Sequence, residues 1–156
     1  MAIEVKAPNE YDKSRFTIFL AGSIDMGEEK TNWQEKVVKA LKEFNITILN
    51  PRRQNWNKKW KQEEFAEPFR SQVLWEYKGM KEADLILFVF TKDSKSPVTM
   101  YELGRFASIK DSIVCVESGF YRQGNLDIYT SLDDIPIYHD LNEMIEDLKT
   151  ILAEKI

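Results

Sequence analysis

The chain has 156 residues, of which 43% are hydrophobic and 31% are charged, and its formal net charge is -4. This length and composition predict one domain over residues 1–156 with a single hydrophobic core. An acidic chain without a basic excess is not expected to attach non-specifically to nucleic acid or to anionic lipid. Small molecules are therefore the expected partners, with no nucleic acid and no membrane.

The sequence also predicts a cytoplasmic location. The N-terminal stretch MAIEVKAPNEYDKSR has no apolar signal core, and the longest apolar run, LILFVF, is far too short to span a bilayer. The single cysteine, Cys115, lies in the apolar run SIVCV, where a free thiol usually behaves as a small buried hydrophobe. One cysteine cannot form an internal disulfide, which agrees with a reducing cytosol.

The first half of the chain predicts two strands, each followed by a helix. RFTIFLAG, from Arg15 to Gly22, is typical of a buried strand that ends in a glycine turn. A helical repeat of apolar residues follows, and ITILN at residues 46–50 predicts a second strand that Pro51 ends. The segment PFRSQVLWEYKGMKEA then predicts a helix with one apolar stripe. The residues of that stripe are Phe69, Val73, Tyr77 and Met80.

The second half continues the same alternation. DLILFVF at residues 84–90 is apolar at consecutive positions, which is typical of a strand covered on both faces in a parallel sheet. A helix from about Val98, the strand SIVCVE at residues 112–117 and the terminal helix LNEMIEDLKTILAEK complete the pattern. The pattern predicts a three-layer, doubly wound α/β fold with a flavodoxin-like or Rossmann-like, mostly parallel sheet. Ligands bind at the carboxyl ends of the strands in such sheets.

Four segments follow predicted strands and should rim one mouth, namely residues 22–27, 50–53, 91–102 and 118–125. In the first segment, AGSIDMG, the residues Gly22, Ser23 and Asp25 could let backbone N–H groups approach a sugar or a phosphate. An ordinary tight turn is the alternative. The segment matches neither G-x-G-x-x-G nor the Walker A pattern, so neither a dinucleotide site nor an ATP site is indicated.

The second mouth segment, NPRRQNW, carries Arg52 and Arg53, and the tryptophans Trp56 and Trp60 follow. Arginine could recognise a phosphate and the aromatic rings could stack on a base, but solvated charges and packing aromatics are equally open. His139 is the only imidazole and lies away from the predicted mouth. A metal site of His and Cys ligands is therefore excluded, a Ser-His or Cys-His pair is not indicated, and no metal or cofactor is expected.

Two carboxylates lie on the helices before and after the predicted strand DLILFVF at residues 84–90, which is the central strand of the predicted sheet. Glu76 belongs to the helix before it, and Glu102 is expected in the first turn of the helix after it. Near a helix start Glu102 should stay ionised and be able to attack an electrophilic carbon. Glu76, against a less polar wall, could hold a proton. Each could instead be an ordinary solvated or capping residue.

Four stretches, FLAGSI, WEYKGMKEADLILFVF, SPVTMYELG and GFYRQGN, have an order and spacing that resemble the nucleoside 2-deoxyribosyltransferase family. The resemblance covers about residues 15–150 and indicates a branch marked by NPRR and WE elements. It implies an enzyme that moves 2-deoxyribose between nucleobases without a cofactor. Its partners would be nucleosides or nucleotides and free nucleobases.

The resemblance implies catalytic roles for the two carboxylates. In that family a glutamate at a helix start attacks C1′ of a 2′-deoxynucleoside, and a second base captures the glycosyl-enzyme. The Glu of YELG matches this nucleophile, which implies the role for Glu102. The family also has an acid on the helix before the central strand that protonates the nucleobase. Glu76 is similar in position, although family members commonly have Asp there.

The resemblance further implies substrate contacts. Family members use an Asn from a neighbouring subunit to hold the sugar hydroxyl, and the Asn of GFYRQGN implies this role for Asn125 in a homo-oligomer. Ser96 stands where the family has an Asp that binds sugar or base, so the contact is weaker here or Asp93 supplies it. Phe19 matches an aromatic residue of the first strand beside the nucleophile.

Two alternatives to base transfer stay open. A related group of nucleoside monophosphate N-glycosidases has a Gly-Ser-Ile element that receives the 5′-phosphate, and AGSI is similar. Ser23 with Arg52, Arg53 and Arg122 could therefore bind a phosphorylated substrate. The first alternative is hydrolysis of deoxynucleosides or their 5′-monophosphates. The second is a nucleotide-binding module that performs no chemistry.

Overall fold

The computed structural model describes residues 1–23, 32–53 and 59–156. The described strands are β1 (Ile3–Lys6), β2 (Phe16–Gly22), β3 (Ile46–Asn50), β4 (Leu85–Phe90), β5 (Ser112–Val116) and β6 (Ile137–Tyr138). The described helices are α1 (Trp33–Ala40), α2 (Phe69–Glu82), α3 (Pro97–Phe106), α4 (Gln123–Leu132) and α5 (Leu141–Lys155). Strands and helices alternate from β2 onward, and the hydrophobic patterns predict this alternation as far as β5.

The strands form one sheet in the order β1-β3-β2-β4-β5-β6. Every strand pairing between the described residues is parallel. Without β1, the order of the remaining strands is the flavodoxin-like order 2-1-3-4-5. The predicted three-layer α/β fold is therefore confirmed.

Helices cover both faces of the sheet. One apolar core lies between the sheet and the helices α1 and α5, and it includes Leu20 and Val37. The other core lies beneath α2, α3 and α4, and it includes Phe19 and Leu103, so the sheet separates two cores where composition predicted one. Because successive side chains of a strand point to opposite faces, β2 and β4 supply both cores and are apolar at consecutive positions.

The order of the strands reverses around β2. The chain passes from β2 through α1 to β3 on one side, and α2 then returns it to β4 on the other side of β2. The carboxyl ends of β2 and β4 therefore flank the crevice in which ligands bind in folds of this kind. Because the strands are parallel, the segments after β2, β3, β4 and β5 start at the same edge of the sheet, as predicted.

The hydrophobic patterns do not predict β1, α4 or β6. β1 is a four-residue edge strand with Glu4 and Lys6, so it lacks the apolar run of a buried strand. β6 has two residues, too few to form a pattern. α4 begins at Gln123, and its first turn contains Gly124 and Asn125, which are poor helix formers.

The apolar stripe predicted for α2 is partly wrong. Val73 is 44% exposed, whereas Gln72 is 2% exposed and Gly79 is also buried. Gln72, Glu76 and Gly79 follow one another at helical spacing on one side of α2. A Cβ atom at Gly79 would lie 2.8 Å from the ring of Phe19, so this side packs against β2. The helix therefore turns a partly polar side toward the sheet, and apolar periodicity cannot identify such a side.

Two expectations from the sequence concern the burial of Cys115 and the length of apolar segments. Cys115 is buried in β5, and burial raises the pKa of its thiol to about 12, with a further contribution from the charges of Glu117 and Asp140. The predicted place of Cys115 in the core is confirmed. Among the residues described above, no helix is both long enough and apolar enough to cross a membrane.

Candidate active site

Glu76 is a half-buried residue of α2 that is held by its neighbour one turn earlier. Gln72 donates a hydrogen bond from Nε2 to Oε2 of Glu76 at 2.8 Å. The same nitrogen donates to the carbonyl oxygen of Pro51, also at 2.8 Å. Because Pro51 directly follows β3, Gln72 connects the carboxylate on α2 with the mouth segment after β3.

The approach of α2 to the sheet depends on Gly79. A Cβ atom there would lie 2.8 Å from two ring atoms of Phe19 and 3.3 Å from a methyl group of Leu49. Phe19 is 1% exposed, and its ring centroid lies 6.1 Å from that of Trp75. Phe19 therefore supports the helix turns that carry Glu76. Its contact with a substrate stays a prediction.

Glu102 lies in the second turn of α3, not in the first. The helix begins at Pro97, directly after Ser96, and its fully described first turn contains no acidic residue. The prediction of a first-turn position is therefore wrong. Because the electrostatic field of a helix N-terminus falls off within the first turn, it does not keep Glu102 ionised.

The two carboxyl groups are electrostatically coupled. Burial raises the pKa of Glu76 to about 7, although the hydrogen bond from Gln72 acts in the opposite direction. Burial, and secondarily the negative charge of Glu76, raise the pKa of Glu102 to about 8. The expectation that Glu102 stays ionised is therefore wrong at neutral pH, whereas Glu76 can hold a proton as predicted. Near neutral pH the pair holds about one proton.

The segment between β4 and α3 is a turn stabilised by hydroxyl groups. Ser94 donates from Oγ to the carbonyl oxygen of Thr91 at 2.9 Å, and its Oγ lies 2.8 Å from Oγ of Ser96. Ser96 has a φ of 48° in the left-handed region, and its side chain makes no hydrogen bond that caps α3. Asp93 is exposed in this turn. The roles of Ser96 and Asp93 in substrate binding stay predictions.

The segment after β2 is anchored to α1 where it begins. A Cβ atom at Gly22 would lie 2.5 Å from the ring of Trp33, so only glycine fits there without a shift. The carbonyl oxygen of Ser23 accepts hydrogen bonds from Nε1 of Trp33 at 3.0 Å and from Nε2 of Gln34 at 3.1 Å. Asp25 lies outside the described residues. The predicted contacts of Gly22 and Ser23 with a substrate stay predictions.

Two arginines follow β3 as predicted. The backbone N–H of Arg52 donates to Oδ1 of Asn50 at 3.0 Å, and Nδ2 of Asn50 donates to Oε2 of Glu4 on β1 at 2.8 Å. The guanidinium carbon of Arg53 lies 5.6 Å from the ring centroid of Trp60. Both arginines line a cavity of about 490 Å³. Trp56 lies outside the described residues.

The remaining predicted residues lie after β5 and β6, at the start of α4 and beyond the outermost strand. Asn125 is exposed in the first turn of α4, and its role across a subunit boundary stays a prediction. Arg122 directly precedes α4, with its guanidinium carbon 5.5 Å from the ring centroid of Tyr121. His139 follows the outermost strand β6, where its Nε2 lies 2.8 Å from Oδ1 of Asp127.

The structure couples Glu76 with Glu102 and adds Gln72, which sequence reasoning missed. The signal that could have found Gln72 is its position four residues before Glu76, at a spacing that lets helical side chains bond. One ionised and one protonated carboxyl group can act as nucleophile and acid, respectively. Within residues 1–23, 32–53 and 59–156, no three His, Cys, Asp or Glu side chains form a group that could hold a metal ion.

Comparison with known proteins shows the family of the chain. A sequence model described as nucleoside 2-deoxyribosyltransferase like matches residues 15–120, which is more than half of the chain. The matched range contains Gln72, Glu76 and Glu102, and it ends before α4 and Asn125. A comparison with curated protein sequences finds no significant match. The chain belongs to the nucleoside 2-deoxyribosyltransferase like family.

Proposed function

We propose that this protein transfers 2-deoxyribose between nucleobases by cleaving the N-glycosidic bond of 2′-deoxynucleosides. In this proposal Glu102 is the nucleophile, and Glu76 is the acid and then the base. The observation that carries it is the coupling of these two carboxyl groups, whose pKa values of about 8 and about 7 leave roughly one proton on the pair near neutral pH. The family supports an activity of this general kind.

The proton must lie on Glu76 when the reaction starts. The pKa values of both carboxyl groups are raised, so the reaction starts from the state in which Glu76 holds the proton and Glu102 is ionised. The hydrogen bond from Gln72 occupies only one carboxyl oxygen of Glu76. The other oxygen is left to carry the proton toward the nucleobase.

In the first step, an oxygen of the ionised Glu102 bonds to C1′ while the C1′–N bond breaks. The electron pair of the broken bond goes to the nucleobase, which takes up the proton of Glu76. The products are a free base, an ionised Glu76 and a 2-deoxyribosyl ester of Glu102 with inverted configuration. The positive charge that develops on the sugar is attracted by the carboxylate in a site of low polarity.

In the second step, a nitrogen of the incoming base attacks C1′ and the ester bond breaks. Its electron pair returns to the Glu102 carboxylate, and Glu76 takes the proton that the base loses. The second inversion restores the original configuration, which is the two-step logic of retaining glycosidases. Because the sugar lacks a 2′-hydroxyl, the cationic transition state forms more easily. The scheme requires no metal or organic cofactor.

The remaining predicted residues would bind the substrate. Asn125 would hold the sugar hydroxyl from a neighbouring subunit, which requires a homo-oligomer with a shared site. Its exposed position in the first turn of α4 supports this proposal. The further contacts would come from residues of the mouth segments and from β2. These residues are Phe19, Gly22, Ser23, Asp25, Arg52, Asp93 and Ser96.

Incubation with deoxyinosine and free adenine tests the reaction. We expect deoxyadenosine and hypoxanthine in equal amounts, and no product with the Glu102→Gln variant. Glu154→Gln, which changes an exposed residue of α5, serves as the matched control and should retain activity. Free deoxyribose without deoxyadenosine would contradict transfer and support hydrolysis. Binding without any product would support a module that performs no chemistry.

Trapping of the ester tests the nucleophile separately. A 2-deoxy-2-fluoroarabinosyl nucleoside should form the ester and react onward slowly, because fluorine disfavours the cationic transition state. Mass spectrometry of a digest should then find the added sugar on the peptide that contains Glu102, and not in Glu102→Gln. An adduct on Glu76 would contradict the proposed assignment of roles.

One observation favours a second candidate, hydrolysis of a deoxynucleoside or of its 5′-monophosphate. The arginines after β3 line a cavity large enough for a small ligand. Hydrolysis would share the first step and differ in the second, where water instead of a base attacks C1′. The product analysis described above separates the two reactions.

A further inference from the structure

A cavity of about 490 Å³ lies at the carboxyl ends of β1 and β3, on the face of the sheet that α1 covers. Its volume falls in the range typical of small-molecule sites. The described lining contains four basic and two acidic residues, an excess of positive charge in a protein whose formal net charge is -4. The charged residues are Lys6, Lys39, Arg52, Arg53, Glu4 and Glu35.

Both carboxylates of the lining already have partners. Oε2 of Glu4 accepts a hydrogen bond from Asn50 at 2.8 Å, and Oε1 of Glu35 lies 3.1 Å from Nζ of Lys39. Neither contact involves Arg53. The acids of the cavity are therefore engaged with other groups, and they do not account for the burial of the Arg53 guanidinium.

Arg53 is the unusual member of the lining. Its Nε and Nη1 atoms are buried, and neither has a hydrogen-bond partner among the described residues. The contact with the Trp60 ring, at 5.6 Å, covers the face of the guanidinium and does not satisfy its N–H donors. Buried donors on a cation are costly unless a hydrogen-bonding group, preferably an anion, meets them. Buried donors of this kind call for a hydrogen-bond acceptor from outside the described residues, and a bound anion would supply one.

The cavity is structurally connected to the carboxylate pair. Arg52 and Arg53 directly follow Pro51, whose carbonyl oxygen accepts from the same nitrogen of Gln72 that donates to Glu76. A ligand held by the arginines would therefore lie near the segment that Gln72 joins to the proposed acid. The anion that meets Arg53 is therefore either a group of the substrate or a separate ligand, and the experiments below distinguish these two sources.

We propose that this cavity binds a phosphate group through Arg53, with Arg52 and Lys6 as further cations. Guanidinium groups match the geometry of phosphate oxygens, and a doubly charged anion suits a cavity with an excess of basic residues. The phosphate is either that of a nucleoside 5′-monophosphate substrate or free phosphate as a separate ligand. Only the first source rests on the proposed function.

Titration calorimetry with inorganic phosphate tests the site itself. The ionic strength is matched with chloride, because salt screens exposed charges. We expect saturable binding to the wild-type protein and a loss of affinity of about tenfold or more in Arg53→Gln, since a charge-assisted hydrogen bond is removed. Arg15→Gln is the matched control. Arg15 directly precedes β2 and therefore lies at the amino ends of the strands, whereas the cavity lies at their carboxyl ends.

Thermal unfolding distinguishes a loss of phosphate binding in Arg53→Gln from a loss of folding. Without phosphate, Arg53→Gln should have a melting temperature no lower than the wild type, because a neutral amide is less costly to bury than an unpaired cation. Phosphate should raise the melting temperature of the wild type and of Arg15→Gln, but not that of Arg53→Gln. A phosphate effect that persists in Arg53→Gln overturns the proposal.

The source of the phosphate is identified with the Glu102→Gln variant, which should leave the ligand intact. If deoxyguanosine 5′-monophosphate binds about tenfold more tightly than deoxyguanosine and Arg53→Gln removes the difference, the substrate supplies the phosphate. Equal binding of both, with Arg53-dependent binding of inorganic phosphate, identifies a separate ligand. If neither inorganic phosphate nor either nucleoside ligand shows an effect that depends on Arg53, the proposed phosphate site is overturned. Failure of base transfer by the wild type rejects the proposed reaction alone.

Discussion

Gln72 donates a hydrogen bond of 2.8 Å to the carboxylate of Glu76 from a position that is 2% exposed. The bond favours the ionised form of Glu76 and so opposes the effect of burial on its pKa. Gln72 is therefore a positioning residue in the proposed reaction, because it orients the acid and adjusts its proton affinity. This role leads to a prediction about the dependence of the rate on pH.

The first prediction concerns the pH profile of kcat/KM. We expect a bell-shaped profile with its maximum between about pH 7 and pH 8, because the reaction needs one proton on the pair. Gln72→Met removes the donor but keeps the length of the side chain. The acidic limb of the bell should then move to higher pH, since the pKa of Glu76 rises when it loses the hydrogen bond.

Gln62→Met, at an exposed position, is the control for Gln72→Met and should leave the profile unchanged. A purely structural role of Gln72 would lower the melting temperature and the rate without moving the limb. That outcome would contradict the role in proton affinity. A profile centred near the ordinary pKa of a carboxyl group, at about 4 to 5, would contradict the coupling of the pair.

The second prediction tests the acid. Glu76→Gln should lower the rate of base release by about a hundredfold or more, because the leaving base is no longer protonated. A deoxyguanosine methylated at N7 already carries a positive charge and does not need the acid. We therefore expect this substrate to recover most of the wild-type rate in Glu76→Gln but not in Glu102→Gln. Equal loss with both substrates would contradict the role of Glu76 as an acid.

The third prediction concerns the contact between α2 and β2. Gly79→Ala would place a Cβ atom 2.8 Å from the buried ring of Phe19, so the helix must shift. We expect a loss of about 1–3 kcal/mol in the free energy of unfolding. The rate should fall by about tenfold to a hundredfold, because Glu76 moves with the helix. Urea unfolding and steady-state kinetics measure the two effects.

Gly104→Ala is the matched control for Gly79→Ala. Gly104 lies within α3, and a Cβ atom there would meet nothing within 4 Å. This substitution should stabilise the protein by about 0.5–1 kcal/mol through helix propensity alone, and the rate should not change. Equal effects of the two substitutions on stability would show that the close contact at Gly79 is not what limits that position.

The fourth prediction concerns stability against pH. The pKa of Glu102 rises on folding from its ordinary value of 4.5 to about 8, so between these values the folded protein holds a proton that the unfolded chain has lost. The stabilisation is complete below the unfolded-chain pKa and is lost as the pH rises through about 8. Glu102→Gln keeps the shape of the protonated acid and avoids this loss.

We therefore expect Glu102→Gln to be more stable than the wild type by a few kcal/mol near pH 9, and about equal to it near pH 4. Urea unfolding at both pH values measures the difference. Glu154→Gln, at an exposed position of α5, should show no such dependence. A constant difference between Glu102→Gln and the wild type across this range would mean that the carboxyl group is not protonated at neutral pH.

The fifth prediction tests whether the site is shared between subunits. Glu102→Ala and Asn125→Ala should each be nearly inactive alone. If they are mixed under conditions that exchange subunits of a two-fold dimer, we expect roughly a quarter of the wild-type activity, because some sites then combine both intact residues. Two variants of the same residue, Glu102→Ala and Glu102→Gln, should regain nothing when mixed. No recovery in the first mixture would contradict the role of Asn125 across a subunit boundary.

The fold was predictable because each of its buried strands has a hydrophobic pattern that can be recognised in the local sequence. A strand buried on both faces must be apolar at consecutive positions, and LILFVF meets this condition at β4. Alternation with helices then requires parallel pairing, which brings the segments after the strands to one edge. The places of Glu76 and Glu102 on the two helices that flank β4 follow from this order alone. The elements β1, α4 and β6 were not predicted, because β1 and β6 lack an apolar run and the first turn of α4 contains poor helix formers.

The sequence by itself determined the α/β order and which carboxylates lie next to the central strand. Only the tertiary structure decided their proton affinity, because burial and the distance between charges depend on how α2 and α3 pack. It also decided that Glu102 lies beyond the reach of the N-terminal field of α3, and that Gln72 joins α2 to the end of β3. Such contacts connect residues that are remote along the chain, so no local pattern records them.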